Sequence, residues 1–151
     1  METVRLQLPE DNDVRVEEAI KTLRTNIQFS GSGLKVIMLT STVPNEGKSV
    51  ISWKTACSFA QMGKKTLYID ADIRKSVLVQ RMKPDHETFG LSQYLSGQKT
   101  MEECIYHTNE ANLDVVFAGP YAPNPTELFE ESVFEDLIQH GRDNYDMVVI
   151  D

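Results

Sequence analysis

The part of this sequence that most narrows the fold runs from KVIMLTS, residues 35 to 41, through STVPNEGKSV to Gly63. KVIMLTS is a short apolar run rich in β-forming residues, and residues 48 to 62 contain no strong breaker, so a strand feeds a loop and the loop feeds a helix. KKTLYIDAD, residues 64 to 72, then supplies a second buried strand. Strand, loop, helix and strand within about 35 residues is the length of a βαβ unit.

The flanking sequence extends the pattern. Val16, Ala19, Ile20, Leu23 and Ile27 lay one apolar stripe along a helix, which Ser30-Gly31-Ser32-Gly33 brings to an end. RKSVLVQRMKPDHETFG reads as charged and irregular, and GLSQYLSGQKTMEECIYH as two short helices divided at Ser96-Gly97. LDVVFAG is a third strand. Thr126 is placed to cap a helix carrying Leu128, Phe129, Val133, Phe134, Leu137 and Ile138, with Gly141 as its stop. YDMVVID is the fourth strand. Strands alternating with helices predict an α/β fold, a parallel sheet covered by helices on both faces in three layers. Residues 1–34 read as an N-terminal helical arm and residues 35–151 as the α/β domain that holds the GKS loop.

Composition removes several function classes. The chain has 151 residues, enough for one core, and its 40% apolar and 25% charged content is ordinary for a globular protein. A formal charge of -8 opposes nucleic acid or an anionic membrane surface as the main partner. No apolar run reaches the ~20 residues that span a bilayer, and the N-terminus lacks the apolar segment of a secretory signal, which together predict a cytoplasmic protein. Cys57 and Cys104 show no C-x-x-C spacing and read as free buried thiols, while His86, His107 and His140 are scattered.

The loop ends as G-K-S but has Thr42 where the common G-x-x-x-x-G-K-[ST] pattern has glycine. A lone G-K-S is a weak sign; between a strand and a helix it is a strong one. Backbone N–H groups and the helix N-terminus point at an anion there, and Gly47 lets the chain approach it. Pro44, Asn45, Glu46, Gly47, Lys48, Ser49 and Val50 form the candidate nucleotide-binding set, Lys48 reaching the β- and γ-phosphates and Ser49 offering its hydroxyl to Mg²⁺. Asp70 and Asp72 end the second strand and Asp151 ends the fourth. In a parallel sheet the ligand crevice lies at the carboxyl ends of the strands, so all three acids face the phosphate loop's edge, where a carboxylate can hold Mg²⁺ and its waters.

These residues resemble the bacterial tyrosine kinases (BY-kinases) of capsule and exopolysaccharide synthesis, of the cytoplasmic CpsD/CapB type. The family's loop, [AS]-x-x-P-x-x-G-K-[ST], is matched by Ser41, Pro44, Gly47, Lys48 and Ser49. Its D-x-D-x-R motif is matched by Asp70, Asp72 and Arg74, and its Walker B strand by MVVID with Asp151. EEAIKTLRTNI, GLSQYLSGQ, AGPYAPNPTELF and FEDLIQHGRDNYDMVVID carry the likeness over nearly the whole chain.

The resemblance implies an ATP- and Mg²⁺-dependent kinase that phosphorylates protein tyrosines, mainly on its own subunits, and helps control polysaccharide synthesis and export. Lys48 would neutralise the transferred phosphoryl group. Ser49 and Asp151 would hold Mg²⁺, and Asp70 and Asp72 would assist the metal or accept the tyrosine proton. It also implies a homo-oligomer and, as partner, the cytoplasmic tail of a membrane adaptor that recruits the kinase to the inner face of the plasma membrane. Where the family's first helix carries E-x-x-R-x-x-R for self-association, this chain has Glu18, Lys21 and Arg24; lysine keeps the charge without the planar fork. An Asn-Leu pair of the family is replaced by Lys54 and Thr55. Family members continue past the Walker B aspartate into a tyrosine-rich tail, so the sequence reads as the N-terminal portion of such a kinase. Two alternatives stand beside it: a MinD/ParA-type ATPase, which would carry a lysine where Val43 stands, and a non-catalytic nucleotide-binding fragment.

Overall fold

The computed structural model describes residues 1–7, 14–31, 33, 35–39, 48–74, 76, 78–130 and 132–151, with Lys48 and Ser49 described in their backbone alone. In chain order the elements are β1 (Thr3–Val4), α1 (Val14–Phe29), β2 (Val36–Met38), α2 (Lys48–Gln61), β3 (Thr66–Ile69), α3 (Leu78–Met82), α4 (Leu91–Leu95), α5 (Met101–Cys104), β4 (Tyr106–Thr108), β5 (Leu113–Val116), α6 (Pro125–Phe129), α7 (Ser132–Asn144) and β6 (Met147–Ile150). The described strands form one sheet in the order β1-β4-β5-β3-β6-β2. All neighbours are parallel except β4 and β5, which run antiparallel.

Alternation along the strands divides the core between two faces. Leu67, Ile69, Val116, Val148 and Ile150 point to one side and pack with Leu91, Leu95 and Leu137 from α4 and α7. Tyr68, Val115 and Val149 point to the other and pack with Trp53, Ala56 and Ala60 of α2. The central strands β3, β5 and β6 are buried along their full length, as expected of strands covered on both faces. α1 lies against α2 and buries only Ile20 of its stripe.

Four strands follow the expectation from sequence and two do not. β1 and β4 are two and three residues long, and their sequences, TV and YHT, carry no run of apolar residues. β1 also places the first residues of the predicted helical arm in the main sheet, beside β4. The irregular 74–90 segment contains the short helix α3. The helix expected after Thr126 is divided into α6 and α7, and α6 begins at Pro125 behind an Asn124 N-cap, so Thr126 lies inside it. Gly141 does not stop α7, which runs on to Asn144. It is buried instead, where a Cβ would stand 2.7 Å from Val148 Cγ2, so its lack of a side chain lets α7 sit close on β6.

Candidate nucleotide and metal site

Register brings two carboxylates together. Ile69 is paired with Ile150, so Asp70 and Asp151 follow each other off adjacent parallel strands at the carboxyl edge of the sheet. The backbone holds that register one residue further: Asp151 N–H donates to Ile69 O at 2.9 Å and Ala71 N–H to Asp151 O at 3.0 Å. Asp70 N–H donates to Val116 O at 2.9 Å, which ties the same edge to β5. Asp70 and Asp151 share the parity of Tyr68 and Val149, and therefore leave the sheet on the α2 side, where Lys48 and Ser49 open the helix.

Both acids are buried, Asp70 at 1% exposure and Asp151 at 7%. Asp151 Oδ1 accepts from Ser52 Oγ at 3.0 Å, one turn into α2. Asp70 accepts from the backbone N–H of Asp72 at 3.1 Å and from the Ser76 hydroxyl. Burial pushes the Asp70 carboxyl up to about 7, opposed by these two hydrogen bonds and reinforced by the negative charges of Asp151 and Asp72.

Asp72 has a different setting from Asp70. It is half-buried and lines an open cleft of about 600 Å³ with Met38, Leu39, Phe129, Phe134 and Asp151. Ser76 lines a second cavity, of about 500 Å³, on the β5 side with Val79, Phe117 and Pro120. Arg74 is exposed. Below the acids, Tyr68 is fully buried and Trp53 meets it edge-on, with ring centroids 5.1 Å apart. The Tyr68 hydroxyl and Trp53 Nε1 are buried without a hydrogen-bond partner of good geometry among the described residues. Burial, with the charges of Asp151 and Asp70, holds the Tyr68 phenol well above its usual range.

Of the residues expected from sequence, Asp70, Asp72 and Asp151 converge on one edge. Val50 lies in the first turn of α2, half-buried. Pro44, Asn45, Glu46 and Gly47 lie outside the described residues, as do the side chains of Lys48 and Ser49. On α1, Glu18 and Lys21 are exposed, whereas Arg24 Nη1 donates to Ser58 Oγ of α2 at 2.8 Å. Ser52 and Ser76 were not expected in the site; a single serine in a helix or a charged segment has no spacing that marks it.

The donor set fits a hard divalent cation. Two buried carboxylates side by side offer anionic oxygen, which such ions prefer, and their mutual repulsion is relieved by a positive charge between them. Among the described residues no group of three His, Cys, Asp or Glu side chains forms a cage, consistent with an ion that keeps waters and phosphate oxygens as its other ligands.

Comparison with known proteins places this chain in a family. Residues 34–151 match the model of the AAA domain family. The tyrosine-protein kinase CpsD of Streptococcus pneumoniae serotype 4 is 43% identical over 137 residues, covering 91% of this chain and 60% of the relative. The tyrosine-protein kinase YwqD of Bacillus subtilis is 40% identical, covering 89% and 57%. The chain thus spans about three fifths of the length of the curated relatives it matches. Among solved structures, the VpsO kinase domain is 36% identical with a TM-score of 0.81, covering 93% of this chain and 70% of that one. The kinase domain of the Escherichia coli tyrosine kinase ETK is 32% identical with a TM-score of 0.82, covering 95% and 56%. MinD of Pyrococcus horikoshii, solved with Mg-ADP, has a TM-score of 0.65 at 21% identity, a likeness of fold alone, and the MinD-type alternative is not favoured. The chain belongs to the bacterial tyrosine kinase family, built on the P-loop fold of the AAA domains.

Proposed function

We propose that this chain carries the nucleotide-binding part of an ATP- and Mg²⁺-dependent protein-tyrosine kinase acting in capsular or exopolysaccharide synthesis. The observation that supports this most is the buried Asp70–Asp151 pair beside the N-terminus of α2. Phosphoryl transfer asks little covalent chemistry of a protein and much positioning and charge. Lys48 would cradle the β- and γ-phosphates, and Ser49, Asp70 and Asp151 would hold Mg²⁺. Mg²⁺ held by these residues would supply positive charge to offset the negative charge that develops in phosphoryl transfer.

Ser52 fixes one oxygen of Asp151, and Ser76 with the Asp72 N–H fixes both oxygens of Asp70. Asp72, half-buried on the open cleft, is the better placed of the two motif acids to take the proton of a tyrosine hydroxyl. Asp70, buried and beside Asp151, is better suited to the metal. The same reading includes recruitment to the membrane by an adaptor's cytoplasmic tail, and Glu18 and Lys21, exposed on α1, are the residues proposed for self-association. Arg24 gives Nη1 to Ser58 of its own chain, so it would meet such a contact with the rest of its guanidinium.

Phosphotyrosine formation with Mg-ATP, with and without an adaptor tail, tests the activity against a Lys48→Met variant. Removing one positioned charge of this kind costs about 10²–10³ in rate. Signal from the parent alone supports a kinase; silence from both, in folded protein, supports a nucleotide-binding fragment.

A further inference from the structure

The five tyrosines differ sharply in access. Tyr68, Tyr94, Tyr106 and Tyr145 are buried, at 0%, 8%, 2% and 4% exposure. Three of those hydroxyls are also occupied. Tyr94 Oη donates to Val133 O at 2.8 Å, Tyr106 Oη accepts from Phe89 N–H at 2.9 Å, and Tyr145 Oη donates to Asp114 Oδ2 at 2.5 Å. Tyr121 is 71% exposed and stands alone among the five in offering its ring to solvent.

Its position is as informative as its exposure. Tyr121 follows β5 on the loop that begins at Gly119, whose φ of +80° turns the chain at the sheet's carboxyl edge. Both neighbours are tied down. Ser92 Oγ donates to Pro120 O at 2.8 Å, and Ala122 N–H donates to Ile73 O at 3.3 Å, inside the Asp70–Arg74 turn. The backbone of Tyr121 is thus anchored at the rim of the acid edge, beside the Asp70–Arg74 turn, and its ring is exposed to solvent.

We propose that Tyr121 is a phosphoryl-acceptor site, modified by a second copy of this chain. The proposal rests on the kinase reading. The Tyr121 hydroxyl oxygen forms a bond to the γ-phosphorus of a nucleoside triphosphate as the bond from that phosphorus to the β,γ-bridging oxygen breaks. The nucleoside diphosphate leaves, and the phenolic proton passes to a carboxylate of the acid turn in the catalysing copy. The hydrogen bonds on either side of Tyr121 fix its backbone at the rim, and its solvent-facing ring is open to the acid edge of another copy, which makes transfer between copies the route.

The test incubates the full chain with Mg-ATP and a Glu/Tyr copolymer as external acceptor, and maps phosphotyrosine by fragmentation mass spectrometry. A Lys48→Met chain, distinguishable by mass, is mixed in as an acceptor that cannot catalyse. The expected result is phosphate on Tyr121 of both chains. In a Tyr121→Phe variant, labelling of the chain falls to background while labelling of the copolymer persists. Copolymer labelling with Tyr121 unmodified overturns the site and leaves the kinase reading intact. Label on Tyr121 of the parent but never of the Lys48→Met chain overturns transfer between copies. Absence of label from both copolymer and chain, in folded protein, overturns the kinase reading and this site with it.

Discussion

Ser52 Oγ donates a 3.0 Å hydrogen bond to Asp151 Oδ1, joining the first turns of α2 to the end of β6 where both residues are buried. The helix that opens at Lys48 is thereby coupled to the carboxylate proposed to hold Mg²⁺. Ser52→Ala removes a hydrogen bond to a buried charged group, worth about 1.5–3 kcal/mol. The expected outcome is roughly tenfold weaker Mg-ADP binding by calorimetry, together with a lower melting temperature. Unchanged affinity would show that Ser52 is packing alone.

Asp70 makes stability depend on pH with a defined sign. Its carboxyl is raised from 3.8 to about 7, so between those values the folded chain holds a proton that the unfolded chain has lost. Stability from this group is full below about pH 4, falls as pH rises towards 7, and stays low above it. Asp70→Asn removes the penalty. In chelator, near pH 8, the variant should be the more stable by on the order of 3 kcal/mol, a gap that closes near pH 4, as read by denaturant unfolding across pH.

Tyr68 stands beside the same acids, its buried hydroxyl within reach of Asp151 but in no hydrogen bond of good geometry among the described residues. An unsatisfied buried hydroxyl costs about 1–3 kcal/mol. Tyr68→Phe keeps the ring against Trp53 and deletes the cost, so the metal-free chain should melt about 2–4 °C higher. A fall in melting temperature would mean that the hydroxyl is satisfied in solution.

Gly90 is set by contact distance. A Cβ there would lie 2.2 Å from Gly119 N and 2.6 Å from Phe117 O, both backbone atoms that cannot rotate away. Gly90→Ala should cost about 3 kcal/mol in denaturant unfolding, because it forces α4 off the end of β5. Gly97→Ala is the control, since nothing lies within 4 Å of its Cβ and the cost there comes from its φ of +79°.

The central fold was legible because its strands are continuous apolar runs. KVIMLTS, KKTLYIDAD, LDVVFAG and YDMVVID became β2, β3, β5 and β6, and their shared direction carried Asp70, Asp72 and Asp151 to one edge. β1 and β4 were not legible, because strands of two and three residues are made by pairing with neighbours and have too few positions to show a period. Gly141 misled because a helical glycine that admits a close neighbour looks in sequence like one that ends a helix. The different settings of Asp70 and Asp72, two residues apart, were likewise decided by tertiary contacts: Ser76 and Asp151 for one, the open cleft for the other. The proposed phosphate contacts of residues 44 to 49 rest on the sequence and on the elements flanking them.

Mg²⁺-dependent nucleotide binding is the most direct measurement. Titration of ADP into the chain, with Mg²⁺ and with chelator, should show binding that Mg²⁺ strengthens in the parent and that Asp151→Ala leaves insensitive to Mg²⁺. Equal ADP affinity with and without Mg²⁺ in the parent, or full Mg²⁺ dependence in folded Asp151→Ala, would contradict the assignment of the Asp70–Asp151 edge as the metal–nucleotide site.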